Sequence, residues 1–404
     1  MLQIGDLPAI ACPICGNRAT TPVLSRHNVP TLLNRSYDTA AAALSAPVGD
    51  LDIVACPACG FTFNRSFDES LAVYSTSYEN DPSKSAAFSA HMLSMADRVL
   101  ASFSPCDDIA VVEIGCGQGQ FLRELVNRES GRISSAVGYD PAWRGGRCEA
   151  GVKIESRVFN RDAFGSQDSA PDAVILRHVI EHIPNPTQFF KEVRGALPDK
   201  WHGRLFIETP SLEWILRHRF VHDFVYEHCN YFTSDTLRFV LARAGFQALI
   251  IESVFEEQYH WVEATGSDPM MDPPSEINEL PTLMRDLTRE EISVRQRWTR
   301  RIARLSQAGK VAVWGAGAKG VSFVNAIDRS AQWISCVIDI NPVKQNNFTP
   351  VTGHPIVSPR SAEQSAIDNI IIMNPNYRVE IENVLRKAAW RATLFDAYDH
   401  GGQS

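Results

Sequence analysis

Two pairs of cysteines share the pattern CPxCG and have the residue type and spacing of a metal site. Cys12 and Cys15 form one pair, and Cys56 and Cys59 form the other. Two intervening residues let both thiolates of a pair face one ion, and four thiolates complete a tetrahedral zinc site with no open position for catalysis. A thioredoxin-like redox pair would need only one such motif. We therefore predict a structural zinc site in an amino-terminal module, residues 1–80.

A glycine-rich turn between a predicted strand at 109–114 and a predicted helix indicates a ligand site. Its glycines are Gly115, Gly117 and Gly119. They let the backbone approach a ligand closely, and the helix that follows presents free amide donors. Glu113 would repel a pyrophosphate but can bind a cationic amino group or sugar hydroxyls. Asp140 ends the next predicted strand, where ribose hydroxyls are usually held in doubly wound sheets.

These residues resemble the class I S-adenosylmethionine-dependent methyltransferases. The segment 177–186, RHVIEHIPNP, is similar to the family's H-V-L-E-H-I-x-x-P. The resemblance implies an S-adenosylmethionine-binding domain over residues 81–266, with a seven-stranded sheet whose last strand is reversed and with Arg177 and His178 among the cofactor-binding residues. The later predicted elements that match this order are strands at 172–176 and 205–208, a helix at 234–244 and a hairpin of 246–255 and 259–265. A doubly wound domain for another nucleotide is the alternative.

A second glycine turn lies near the end of the chain. Residues 315–320, GAGAKG, follow a predicted strand at 310–314, and Asp339 ends another strand nineteen positions later. This pattern is a dinucleotide fingerprint, so an NAD-dependent oxidoreductase is an alternative function. Residues 301–404 number only about a hundred, enough for one mononucleotide half. We interpret the turn as a cradle for the diphosphate of a nucleotide-linked substrate, with Lys319 adding positive potential; the alternative is a turn that only packs its helix on a strand.

The whole chain resembles the sugar C-methyltransferase family, which acts on nucleotide-linked keto sugars in deoxysugar pathways. The resemblance rests on the four cysteines, on YSTSY at 74–78, on YEHCNYF at 226–232 and on the second glycine turn. It implies that His228 is the catalytic base, beside Glu227, and that His182 also acts in catalysis. The substrate-binding positions that it implies are Tyr74, Tyr78, Tyr231, Gly317, Lys319 and Asn325.

The expected fold class is α/β, with a class I methyltransferase doubly wound sheet flanked by a small amino-terminal zinc-binding module and a C-terminal Rossmann-like domain. That last domain, residues 301–404, would bind the substrate. Residues 267–300 are predicted to form an exposed linker and a charged helix, the helix starting at Leu287. The family usually has Tyr-His before the Glu-His pair, and this chain has Val225-Tyr226, so one expected phenol and one expected imidazole are missing or displaced.

Carbon methylation next to a ketone needs a base and donors for the enolate oxygen. His228 suits the base because imidazole titrates near neutrality, and Glu227 or another carboxylate would hold its tautomer. Tyr78, Tyr231 or His182 would donate to the enolate oxygen. The alternatives are an O- or N-methyltransferase of similar build, a methyltransferase-like scaffold without acceptor chemistry, and a merely polar loop at this position.

Composition narrows the class of partner. The 404 residues carry a net charge of −8 and are 44% hydrophobic and 21% charged, values of a folded protein with two or three domains. No basic run could follow a phosphate backbone, so nucleic acid is not an expected partner. No apolar stretch approaches the ~18 residues that span a bilayer, and the first ten residues lack a signal pattern. We expect a cytoplasmic, membrane-independent enzyme with S-adenosylmethionine and structural zinc as cofactors and a small-molecule substrate; its oligomeric state is left open.

Overall fold

The computed structural model describes residues 10–146, 151–160, 164, 170–270 and 280–398, which form three β-sheets and the helices around them. The strands are β1 (Thr21–Pro30), β2 (Val48–Ala55), β3 (Thr62–Asn64), β4 (Ile109–Ile114), β5 (Ile133–Tyr139), β6 (Val152–Glu155), β7 (Ala173–Arg177), β8 (Arg204–Pro210), β9 (Asn230–Tyr231), β10 (Phe246–Val254), β11 (Tyr259–Gly266), β12 (Val311–Trp314), β13 (Ile334–Ile338), β14 (Ile356–Val357), β15 (Asn369–Ile372) and β16 (Thr393–Asp396). The helices are α1 (Ala40–Leu44), α2 (Ala86–Ala101), α3 (Gln120–Arg128), α4 (Pro186–Ala196), α5 (Leu212–Arg217), α6 (Ser234–Ala244), α7 (Leu280–Ala308), α8 (Ala318–Ile327), α9 (Pro359–Gln364) and α10 (Arg378–Lys387).

The central sheet has the strand order β10-β11-β8-β7-β4-β5-β6, and β11 runs antiparallel to both of its neighbours. Its inner strands are continuous apolar runs because helices cover both faces, α2 and α3 on one and α4 and α6 on the other. This arrangement confirms the predicted α/β methyltransferase-like sheet. It brings the carboxyl ends of β4, β5, β7 and β8 to one edge, where ligands of open α/β sheets bind.

The amino-terminal sheet, β1-β2-β3-β9, takes its last strand from the middle of the chain. Thr62 pairs with Tyr231, and Phe63 pairs with Asn230. Because β9 follows directly on His228, this pairing fixes the histidine against the cysteine-rich module. The segment that carries the predicted base is therefore held against the amino-terminal sheet.

The C-terminal sheet, β14-β13-β12-β15-β16, is parallel throughout. The second glycine turn follows β12, whose neighbours β13 and β15 lie on opposite sides. A crevice opens at such a topological switch point, and ligands bind there in open α/β sheets.

The segment predicted as an exposed linker is helical from Leu280 onward, so the expected helix start at Leu287 is wrong. The apolar stripe of α7 packs against β1, β2 and β12, and Glu291 is buried in an ion pair with Arg26, whose Nε lies 2.8 Å from Glu291 Oε1. The acidic residues between Leu280 and Glu291 therefore belong to a helix and do not indicate an exposed linker. Residues 271–279 of the predicted linker lie outside the described residues. None of the helices in the described part of the chain has the length and apolarity needed to cross a membrane.

Candidate functional site

The four predicted zinc-binding thiols converge in the structure. Cys12 Sγ lies 3.7 Å from Cys59 Sγ, and Cys15 Sγ lies 3.5 Å from Cys56 Sγ. Four sulfurs bound tetrahedrally at about 2.3 Å from zinc would lie about 3.8 Å apart. Asn17 also directs its side-chain amide to Cys56 Sγ at 3.8 Å, an outer contact of the kind that metal ligands have. The residues therefore fit a structural zinc ion.

A cavity of about 370 Å³ opens at the carboxyl ends of β4, β5 and β7. The predicted cofactor-binding residues that line it are Glu113, Gly115, Gly117, Asp140, Arg177 and His178. Gly119 is not part of this lining. A Cβ at Gly119 would lie 2.3 Å from Ile154 Cδ1, so this glycine lets α3 begin close to β6.

Asp140 fixes the first glycine turn. Its Oδ2 accepts the Gly117 N–H and its Oδ1 accepts the Ala142 N–H, both at 2.7 Å. Gly115 has a φ of +73°, and a Cβ there would lie 2.3 Å from Val179 Cγ2. The turn is thus held rigidly, with its open side toward the cavity.

Glu113 places a buried carboxyl oxygen without a hydrogen-bond partner among the described residues at this cavity. The residue is 3% exposed, and within the described residues its Oε2 has no hydrogen-bond partner. Burial raises the pKa of Glu113 to about 8, although the nearby Arg177 acts in the other direction. A cationic ligand group at this oxygen would favour the carboxylate, so the site fits the amino group of S-adenosylmethionine better than a phosphate.

Arg177 is held by a network that sequence reasoning missed. Its Nε donates to Glu208 Oε2 at 2.7 Å, and its guanidinium lies 4.4 Å above the Phe121 ring. His91 contacts the other oxygen of Glu208. Burial alone would raise the pKa of Glu208, but Arg177 and the neighbouring imidazoles hold it well below its usual range. A lone acid inside the apolar run of β8 is the signal that could have found this network.

A second cavity, of about 270 Å³, lies between the central and the C-terminal sheets. Tyr78, His178 and His182 line both cavities, so the two spaces adjoin at these side chains. His228 and the second glycine turn line the second cavity only. The predicted catalytic histidine thus lies across this junction from the predicted cofactor site.

His228 is half-buried, with its ring centroid 4.9 Å from that of His182. Burial lowers the pKa of His228 to about 3, and the nearby His182 adds to the effect. The ring is therefore neutral near pH 7, and the expectation that its pKa lies near neutrality is wrong because burial lowers it. The carboxylate beside it is Glu181, since one ligand atom each of Glu181, His182 and His228 lies within 4.8 Å of the others.

One prediction was that Glu227 holds the tautomer of His228, and the structure contradicts it. Its Oε2 accepts the Tyr78 O–H at 2.7 Å, and its Oε1 accepts the Leu33 N–H at 3.0 Å. The Glu227 side chain therefore points away from His228, and the Tyr78 hydroxyl proton is already donated to Glu227. Glu227 positions Tyr78 rather than the base.

His182 has a defined tautomer. Its Nδ1 lies 2.8 Å from the Glu227 carbonyl oxygen, which only accepts, so Nδ1 carries a proton and Nε2 is left as the second nitrogen. Tyr74 Oη lies 2.8 Å from the same Nδ1, so the phenol and the Glu227 carbonyl oxygen both face this one ring nitrogen.

Tyr231 and Asn325, both predicted to bind substrate, are not among the residues that line the two cavities. Tyr231 is buried, and its hydroxyl exchanges hydrogen bonds with the backbone of Val225, so its role in the structure is to shape the loop before β9. Asn325 lies along α8 and donates to Val321 O and Pro350 O. The helical period carries it away from the cavity.

The second glycine turn does reach the cavity. Gly317 lines it and begins α8 without a side-chain cap. Gly320 has a packing role, because a Cβ there would lie 1.8 Å from Gly315 O. Lys319 also lines the cavity, but its Nζ lies 2.9 Å from Asp223 Oδ2, so its charge is already paired. Asp339 accepts the Ala316 N–H at 2.7 Å and thus braces the turn.

Two family models match the chain. Residues 88–251 match a methyltransferase domain, and residues 278–395 match a C-methyltransferase C-terminal domain. No curated protein matches it.

Similar solved structures each cover less than half of the chain. One is the complex between the Haloferax volcanii Trm112 methyltransferase activator and the putative methyltransferase, with 14% identity over 48% of this chain and 96% of that chain and a TM-score of 0.37. Another is the S-adenosylmethionine-dependent methyltransferase from Mesorhizobium loti, with 17% identity over 42% and 95% of the two chains and a TM-score of 0.33. A third is the N,N-8-amino-8-demethyl-D-riboflavin dimethyltransferase of Streptomyces davawensis, with 22% identity over 45% and 57% and a TM-score of 0.32.

The cavity at the first glycine turn and the two family matches define the class of enzyme. The chain is an S-adenosylmethionine-dependent methyltransferase that carries a C-methyltransferase C-terminal domain.

Proposed function

We propose that the enzyme methylates a carbon next to the ketone of a nucleotide-linked keto sugar, through an enolate. The observation that carries the proposal is the junction of the two cavities. Tyr78, His178 and His182 line both, and His228 faces the acceptor side beside them. S-adenosylmethionine, when bound, supplies an electrophilic methyl on a sulfonium sulfur. A base across the junction can prepare the carbon that receives it.

His228 removes the proton from the carbon next to the ketone. The C–H electron pair becomes the enolate, and the proton stays on the imidazole while the new carbon–carbon bond forms and the carbon–sulfur bond breaks. The Glu181 carboxylate, close to the ring, stabilises the imidazolium that results. His228 and Glu181 thus work as base and counter-charge.

Tyr74 lines the cofactor cavity, where its ring contacts Tyr78 and His182 at the junction with the acceptor cavity, and from there it donates to the enolate oxygen. Of the three phenols predicted for this region, Tyr78 donates to Glu227 and Tyr231 donates to Val225 O. Tyr74 Oη lies 2.8 Å from His182 Nδ1, and the N–H of that nitrogen is directed to the Glu227 carbonyl oxygen, so the Tyr74 O–H can turn to the acceptor. A preformed donor of this kind stabilises charge that develops in the transition state.

The second glycine turn holds the diphosphate of the acceptor. α8 starts at Ala318 without a side-chain cap, and the adjoining Gly317 faces the cavity, so backbone amides are available to an anion. These amides carry the interaction rather than Lys319, whose charge Asp223 neutralises.

The module at the start of the chain holds one structural zinc ion on its four cysteines. Replacing Cys12 or Cys56 by Ser should remove it.

Incubation with methyl-¹³C-labelled cofactor and a panel of keto-sugar nucleotides tests the function. NMR of the product should find the labelled methyl bonded to a carbon beside the former ketone. A methyl group on oxygen or nitrogen, or the rejection of every keto-sugar nucleotide while another small molecule is methylated, would contradict the proposal.

A further inference from the structure

Glu181, His182 and His228 form a cluster of metal-ligand types separate from the four cysteines. One ligand atom from each lies within 4.8 Å of the other two. Glu181 and His182 belong to the helical turn after β7, and His228 lies in the segment before β9. The side-chain amide of Asn230 donates to Ile180 O and Ile183 O, which holds these distant parts of the sequence together.

The carboxylate of Glu181 has one committed oxygen and one open oxygen. Oε2 accepts the Thr209 hydroxyl at 3.1 Å. Among the described residues, Oε1 has no hydrogen-bond partner, and His178 Nδ1 lies 3.6 Å away. Glu181 is 2% exposed, so this open oxygen is buried and aimed among imidazoles. A buried anionic oxygen in this state costs free energy that a cation would recover.

The two imidazoles are prepared as ligands. The Nδ1–H of His182 donates to a backbone carbonyl, which is the outer contact that usually fixes a metal-binding histidine. That contact leaves Nε2 to coordinate. Within the described residues, His228 makes no hydrogen bond at all, and its ring meets that of His182 edge to face.

We propose that this cluster binds a divalent transition metal, Zn²⁺ above all, and that the bound metal inhibits the enzyme. Two imidazoles and one carboxylate are a ligand set of zinc sites with an open position, unlike the closed set of four thiolates. Ligand atoms bound tetrahedrally at about 2.1 Å would lie about 3.4 Å apart, so modest side-chain rotations close the cluster. The metal would take the lone pair with which His228 removes the proton, so the inhibition, though not the binding, rests on the proposed function.

Calorimetric titration of the full-length protein with Zn²⁺, after dialysis that leaves the tightly bound equivalent in place, tests the binding. We expect a second equivalent that a chelator removes, and we expect Glu181→Gln and His228→Gln to weaken it by at least about tenfold. Glu380→Gln is the matched control, because Glu380 lines the same cavity outside the cluster. S-adenosylhomocysteine affinity monitors the folding of each variant.

Cobalt separates the two sites by their spectra. Co²⁺ on four thiolates gives an intense sulfur-to-metal charge-transfer band, whereas the second equivalent should add ligand-field bands without it. A protein that takes up one equivalent only, or variants that keep the second with unchanged affinity, would overturn the site. Unchanged methyl transfer with the second equivalent bound would overturn the inhibition. A failure of the proposed function would differ, since the enzyme without the second equivalent would then not methylate the acceptor carbon at all.

Discussion

The chain builds nearly the same turn twice, and the two turns differ in the charges around them. In both, a glycine-rich loop leaves a central parallel strand and begins a helix, and an acid from the neighbouring strand accepts an N–H of the loop at 2.7 Å. Glu113 lies beside the first turn as a buried acid with an unsatisfied oxygen. Lys344 lies beside the second, and its Nζ donates to Ala316 O at 2.9 Å. The glycines shape both loops, and we propose that the neighbouring charge selects the ligand: a cation at the first turn, an anion at the second.

The histidine between the turns gives the largest expected effect. His228→Gln should lower the rate of methyl transfer by about 100-fold to 10,000-fold, because it removes a positioned base. S-adenosylhomocysteine binding should persist, since His228 lies outside the first cavity. Steady-state kinetics together with calorimetry measure both. Tyr231→Phe is the control: it removes only the two internal hydrogen bonds with the Val225 backbone, and a rate loss as large as that of His228→Gln would mean that the loop, not the base, limits the reaction.

Gly115→Arg should abolish S-adenosylhomocysteine binding and leave the second turn intact. The position has a positive φ, and a Cβ there already meets Val179, so the substitution disrupts the first turn. Binding of uridine or thymidine diphosphate should remain. If the variant loses the nucleoside diphosphate as well, the two turns do not act separately.

The pH dependence of cofactor binding tests the sign of the charge at the first turn. Burial raises the pKa of Glu113 to about 8, so without ligand the carboxyl is protonated below that pH. A cationic ligand favours the carboxylate, so binding releases a proton and the affinity rises as the pH increases toward 8, by about tenfold per pH unit at the steepest. Above pH 8 it levels off. Calorimetry in buffers of different ionisation enthalpy measures the proton release. Glu113→Gln should bind more weakly at pH 8 with a flat profile, and an unchanged slope would assign the proton to another group.

Glu113 also determines how the stability of the ligand-free protein depends on pH. The affinity for the cofactor rises with pH, but the free energy of unfolding falls. Because the folded-state pKa lies above the ordinary value of 4.5, the folded state binds more protons than the unfolded state between about pH 4.5 and 8. The free energy of unfolding contributed by Glu113 therefore falls as the pH rises through that window. The free energy of unfolding of Glu113→Gln, measured with urea, should therefore rise relative to that of the wild type as the pH increases toward 8.

A charge change at the second turn gives the smallest expected effect. Gly317→Asp and Gly317→Asn both place a capping side chain at the start of α8, and each should change the free energy of unfolding by only a few tenths of a kcal/mol. The aspartate alone adds negative charge. It should weaken nucleoside diphosphate binding by about tenfold, or about 1.4 kcal/mol, relative to the asparagine. Equal affinities for the two variants would mean that no anion binds at this turn.

The sequence predicted those parts of the fold that depend on local patterns. The strand-turn-helix units follow from apolar runs and glycine spacing, whereas the reversed last strand was implied by the resemblance to class I methyltransferases; the structure confirms both. The start of α7 could not be read in this way, because its buried Glu291 looks like a surface acid until Arg26 pairs with it. Ion pairs between residues far apart in the sequence leave no local signal.

The candidate site divides in the same way. The four cysteines meet as their spacing indicated, and Gly115 and Gly117 line the cofactor cavity, but Gly119 does not. Of the two options left open for the carboxylate at His228, the structure excludes Glu227, because adjacency in sequence does not mean contact, and Tyr78 and Leu33 occupy its two oxygens. The role of Glu208 depends on His91, which lies in α2 far upstream. Such buried networks follow from packing rather than from any motif.

Solvent exchange at the carbon next to the acceptor ketone tests the enolate most directly. The wild-type enzyme, with S-adenosylhomocysteine bound in D₂O, should replace that hydrogen by deuterium, and His228→Gln should not. Methylation by an enzyme that exchanges no hydrogen at that carbon would contradict the account.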